Sequence, residues 1–137
     1  MLPKEKRRDY TIINSYMRRV RKLVDPKLSV AVRLYPEEEN NLAHGFDVAQ
    51  WIADGTADLF TVENFYVPTN YEMPVAAWRE SIAKRNTQNR PYTLLCGSDW
   101  GVCCNAGDHI PMNPALVRGF TRTCLERGAD GVYLFNF

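Results

Sequence analysis

The chain lacks the long apolar runs, the charge excess and the cysteine framework that would each assign it to a large class at once. No apolar stretch approaches the ~20 residues of a membrane span, and the start has no apolar core of a signal peptide. Seventeen basic and sixteen acidic side chains leave a net charge of +1, so electrostatics offers no general reason to expect nucleic acid or an anionic membrane as partner. The basic cluster Lys4, Lys6, Arg7 and Arg8 is interleaved with Glu5 and Asp9 and reads as a solvated approach to a helix. Four cysteines are too few for a disulfide scaffold. Cys103 and Cys104 are adjacent, near Asp108 and His109, but the second ligand pair of a metal site is missing. Neither a metal nor a cofactor is called for. No Asn-Gly dipeptide marks a tight hairpin, and no glycine-rich phosphate turn joins the first strand to the helix after it.

What is present fits one ordinary globular domain spanning residues 1–137, with 45% hydrophobic and 24% charged residues. Residues 1–8 read as a charged lead-in. Asp9 is placed to cap a helix running to about Val24, with Ile13, Tyr16, Met17, Val20 and Val24 forming its apolar face. Asp25-Pro26 stops it. Leu28 to Tyr35 reads as a strand, and the polar run 36–44 as a loop that carries Glu37, Glu38 and Glu39 on a solvated surface and the surface residue His44.

The next stretch is the best defined. Asp47 caps a helix over 47–54, Gln50 completes a capping box, and Phe46 and Trp51 hold the staple positions. Gly55 ends the helix, and 57–63 runs apolar and β-prone until Glu63. A third helix opens near Pro74, with Val75, Trp78 and Ile82 on one face. Residues 91–98 form a third strand ending at Asp99, and a long loop follows. Asn113 caps and Pro114 opens a fourth helix, which buries Leu116, Val117, Phe120 and Cys124 and stops at Gly128. Residues 131–137 form the last strand. Cys96 in its strand and Cys124 on its helix read as buried free thiols.

Strands separated by helices predict an α/β fold with parallel strands joined by right-handed crossovers. Each unit takes roughly 30–35 residues, matching the ~250 residues over eight units of a TIM barrel, so four units are half a (β/α)8 barrel. The alternative is a small open parallel α/β sheet.

Side chains alternate along a strand, and barrel sites sit at the C-terminal strand ends. With Val32, Leu34, Phe60, Val62, Leu94, Cys96, Tyr133 and Phe135 turned toward the helices, the opposite face carries Arg33, Glu63, Asp99, Leu134 and Asn136. Phe137 shares the parity of Tyr133 and Phe135 and needs cover. Glu63 and Asp99 are the candidate acid, base or nucleophile, since neighbouring strands about 4.8 Å apart bring rim carboxylates within reach of glycosidase spacings. Arg33 and Asn136 would orient hydroxyls, while Tyr66 and Trp100 would stack on a sugar ring. The structural alternative is that Arg33 pairs with Glu63 or Asp99 and plugs the barrel end.

Two segments carry a resemblance. Gly45 to Asp58, with Asp47, Val48, Trp51 and Gly55 in place, resembles the G-x-D-V-x-x-W-x-x-x-G-x-x-D pattern of uncharacterised glycoside-hydrolase-like (β/α)8 proteins. Gly128 to Phe137 resembles their last barrel strand. The resemblance covers about residues 28–137 and implies the C-terminal half of such a barrel, acting on or binding carbohydrate. It would be a glycosidase if catalytic, and otherwise a carbohydrate-binding or structural fragment. The first four strands are absent, and many barrel glycosidases take their acid/base from the fourth. The remaining strands would then come from a homodimer or from an N-terminal half-barrel of a longer protein.

Overall fold

The computed structural model describes residues 10–64, 71–99, 101–103 and 109–135. In chain order the elements are α1 (Thr11–Leu23), β1 (Ala31–Leu34), α2 (Glu38–Ala43), α3 (Val48–Asp54), β2 (Leu59–Glu63) and α4 (Val75–Arg85). β3 (Thr93–Asp99), β4 (Gly101–Cys103), β5 (His109–Pro111), α5 (Pro114–Glu126) and β6 (Gly131–Phe135) complete them. β1, β2, β3 and β6 form one sheet in that order, and every pairing in it is parallel. The α/β class and the parallel sheet expected from the alternation of elements are what the chain forms.

Strand order that advances without reversing, through crossovers of one hand, puts the connecting helices on a single face. The core agrees. Leu34, Phe60, Val62, Leu94 and Cys96 project from alternate strand positions into one cluster with Trp51, Trp78, Ile82, Phe120 and Cys124 of the helices. Arg33, Glu63, Gly97 and Asp99 therefore belong to the other face.

Local signals explain most elements. Asp47 accepts the Gln50 backbone N–H at 3.1 Å, Phe46 packs on Trp51 with ring centroids 5.8 Å apart, and Gly55 closes α3 at φ +62°. The reciprocal half of the capping box does not form, because the Gln50 side chain donates to Asp54 at 2.8 Å instead. Asn113 accepts the N–H groups of Ala115 and Leu116, with Pro114 opening α5. α1 docks on α3 through the buried Trp51 indole N–H, which donates to the Asn14 side chain at 2.7 Å. The helix starts after Tyr10 with no side-chain cap; Asp9 lies outside the described residues. Tyr16, expected on its apolar face, is exposed.

Three expectations are corrected. Residues 36–44 are not all loop: α2 forms there, with Glu38 and Glu39 in its first turn, where the helix dipole favours carboxylates. Buried Asn41 anchors it by accepting the Tyr35 N–H at 3.0 Å and donating to the Tyr35 carbonyl at 2.8 Å. The long loop after β3 contains the antiparallel pair β4–β5. The parity of the last strand is also reversed. Val132 packs toward the core, so Tyr133 and Phe135 stand on the face of Arg33 and Leu134 on the helix face. Phe137 lies outside the described residues.

A pair of aspartates ties strand starts together at the N-terminal end of the sheet. Asp58, just before β2, accepts the Val30 N–H at 2.9 Å and pairs with Arg21 of α1 at 2.6 Å and with Arg90 at 2.9 Å. Asp130, just before β6, accepts the Leu94 N–H at 2.7 Å and pairs with Arg79 of α4 at 2.6 Å. Arg21 also donates to the Leu28 carbonyl, and Arg79 to the Gly128 carbonyl. For Asp58, burial pushes the carboxyl up, yet the Val30 N–H and the guanidiniums of Arg90 and Arg21 outweigh it and hold the group below its ordinary value. Asp130 is likewise pushed up by burial and lowered further by the Leu94 N–H and Arg79.

Candidate functional site

The strand ends opposite these latches bring together the groups that could do chemistry. Glu63, the last residue of β2, is 0% exposed. The Arg33 Nε donates to Glu63 Oε2 at 2.6 Å and Nη2 donates to Oε1 at 2.7 Å. This is the fork geometry that makes an arginine–carboxylate pair strong and directional. The pair runs diagonally between strands, because Arg33 registers with Thr61 and Glu63 with Gly97. Buried Thr61 lines the same face beneath it.

Gly97 leaves the space that the carboxylate fills, and Arg33 also reaches across the sheet to β6. Its guanidinium carbon lies 3.7 Å from the Phe135 ring centroid and 5.9 Å from that of Tyr133, within cation–π range. Tyr133 and Phe135 stack on each other at 6.3 Å. Asp99 ends β3 opposite Phe135 in register and is partly exposed. Of the expected site residues, Arg33, Glu63 and Asp99 share one face and one end of the sheet. Tyr66, Trp100 and Asn136 lie outside the described residues. Leu134, expected on this face, is on the other.

Sequence reasoning missed Phe135, Tyr133 and Gly97. The two aromatics were assigned to the helix face because bulky apolar residues usually mark a core. A strand so apolar in both parities holds no alternation to correct that assignment. Gly97 carried no signal beyond being a glycine inside a strand, which points to a close approach.

A cleft of about 200 Å³ opens between α2 and α4, lined by Pro36, Glu37, Glu38, Pro74, Ala77, Trp78 and Ser81. None of the rim residues lines it. His44 is exposed and stacks on Tyr35 at 4.7 Å. Cys96 and Cys124 are buried free thiols. Their mutual hydrogen bond and burial push the Cys124 thiol up, while the same bond lowers Cys96. Among the described residues no group of three histidine, cysteine or carboxylate side chains is placed to hold a metal ion. No described helix is long and apolar enough to cross a membrane. No protein-family model and no curated protein matches the chain.

Proposed function

We propose that the chain is half of a glycoside-hydrolase-like (β/α)8 barrel that binds carbohydrate at the C-terminal rim of its parallel strands. The observation that carries this reading is Arg33, held between the Glu63 carboxylate and the Phe135 ring at the strand ends. An aromatic plane beside a carboxylate-anchored guanidinium suits a polyhydroxylated ring, whose C–H face takes apolar contact and whose hydroxyls take directional hydrogen bonds from polar groups of the rim. Asp99 adds a carboxylate to that rim. Tyr66 and Trp100 would stack on the sugar and Asn136 would orient a hydroxyl. The other four strands come from a second copy or from an N-terminal half-barrel.

The test is a binding survey of neutral and acidic oligosaccharides, followed by calorimetry on the best ligand. The reading expects binding that Asp99→Asn or Phe135→Leu weakens severalfold with the fold intact. No binding to any oligosaccharide would remove it.

Catalysis is the second reading, favoured by Glu63 and Asp99 ending neighbouring strands on one face. Proton or nucleophile work by both carboxylates would follow the two-carboxylate logic of glycosidases. Burial of Glu63 and engagement of both its oxygens favour binding over turnover through that residue. If the chain is a glycosidase, Glu63→Gln and Asp99→Asn each abolish aryl-glycoside hydrolysis. Activity indifferent to both substitutions ends the catalytic assignment.

A further inference from the structure

We infer that a second copy of this chain closes the sheet into an eight-stranded barrel, with β6 of each copy lying against β1 of the other. The chain carries an internal repeat. The unit α1–β1–α3–β2 and the unit α4–β3–α5–β6 carry the same latch. A helix arginine (Arg21, Arg79) pairs with an aspartate (Asp58, Asp130) that accepts the N–H at the start of the preceding strand (Val30, Leu94). The register is equivalent too: Ala31 pairs with Leu59 as Leu95 pairs with Gly131. By this correspondence β3 is the counterpart of β1, and β6 of β2.

Inside the chain the two units join where β2 meets β3. The free edge of β6 is therefore equivalent to the β2 edge that receives β3, and the free edge of β1 is equivalent to the β3 edge that receives β2. Among the described residues neither free edge is paired. Exposure measures what each lacks. Tyr133 is 38% exposed where its counterpart Thr61 is 5%, and Leu134 is 37% exposed where Val62 is 0%. β6 carries no charged residue over Gly131–Phe135, unlike edge strands that meet solvent.

Repeating the β2–β3 register across the junction sets Gly131, Tyr133 and Phe135 against Ser29, Ala31 and Arg33 of the second copy. All six have the parity of the face that holds Glu63, so both copies turn their polar rim into one barrel. The helix that leads into β1 would lie over Leu134 of the other copy. A two-fold axis makes the two junctions identical and pairs both edges of the parallel sheet, which is what a closed cyclic dimer requires. Eight parallel strands are the closed number for this architecture.

The inference rests on sheet edges and not on carbohydrate, so it is read without ligand. Sedimentation of the native protein should give twice the 15.8 kDa chain mass. Leu134→Arg should return the mass to one chain with its circular dichroism unchanged. In a mixture of Ala31→Cys and Tyr133→Cys chains, the register predicts a disulfide between positions 31 and 133 of different copies, since neighbouring strands stand about 4.8 Å apart and suit the bond. Peptide mapping separates it from pairs made by native cysteines. A single-chain mass across the micromolar range overturns the inference. So does a dimer without the 31–133 link, whether or not the Leu134 variant folds.

Discussion

The Glu63 carboxylate fills the space that a side chain at Gly97 would occupy. A Cβ at position 97 would stand 2.6 Å from Glu63 Oε2 and 2.9 Å from Glu63 Cβ. No residue larger than glycine lets the carboxylate lie against β3 and still meet both Arg33 nitrogens. Gly97→Ala is expected to destabilise the chain by about 1–3 kcal/mol through overpacking, read as a lower urea midpoint with unchanged m-value. A midpoint equal to that of the unsubstituted chain would mean the carboxylate does not rest there.

Removing one partner of the rim pair is worse than removing both. Arg33→Ala leaves Glu63 buried and uncompensated, at a cost of about 3–5 kcal/mol. The double change Arg33→Met with Glu63→Leu replaces both charges by apolar groups of similar reach. Its stability is expected to fall within about 1 kcal/mol of the starting chain, or above it. Equilibrium unfolding of the single and double variants checks this, and equal losses in both would argue against a desolvated pair.

Acid should weaken the two latches. Asp58 and Asp130 sit below the ordinary carboxylate value of 3.8 in the folded chain, so the unfolded chain binds their protons more readily. Their stabilisation is full above the unfolded value and fades as pH falls below 3.8 through the folded values. Asp58→Asn should melt lower than the parent chain near neutral pH, with the gap narrowing in acid. A gap that stays constant with pH would contradict the latch.

Trp51 anchors α1 to α3 through its indole N–H. Trp51→Phe keeps an aromatic ring against Phe46 but orphans the buried Asn14 oxygen, costing about 1–3 kcal/mol. Hydrogen exchange should then rise first in α1. Uniform change across all helices would show that the bond is not what seats α1.

Much of the fold was legible because it is written in local chemistry. Asp47 and Asn113 cap helices, Gly55 and Gly128 stop them, and Phe46 meets Trp51 within one turn. The alternation of helices and strands was enough to predict a parallel sheet, since such strands need long crossovers. Where local cues conflicted, reading failed. The acidic run around Glu38 passed for solvated loop, although carboxylates also suit the first turn of a helix. β6 is apolar at nearly every position, so period two could not say which face was which.

By itself the sequence determined that Arg33, Glu63 and Asp99 lie opposite the apolar parity of their strands and near the strand ends, because side chains alternate along an extended backbone. Only the tertiary structure decided what they do there. The pairing of Arg33 with Glu63 depends on register between β1 and β2. The burial of Glu63 depends on a glycine beside it on the next strand. The aromatic floor under the guanidinium depends on which way β6 turned. Those are distances between segments 30 to 100 residues apart, and packing sets them.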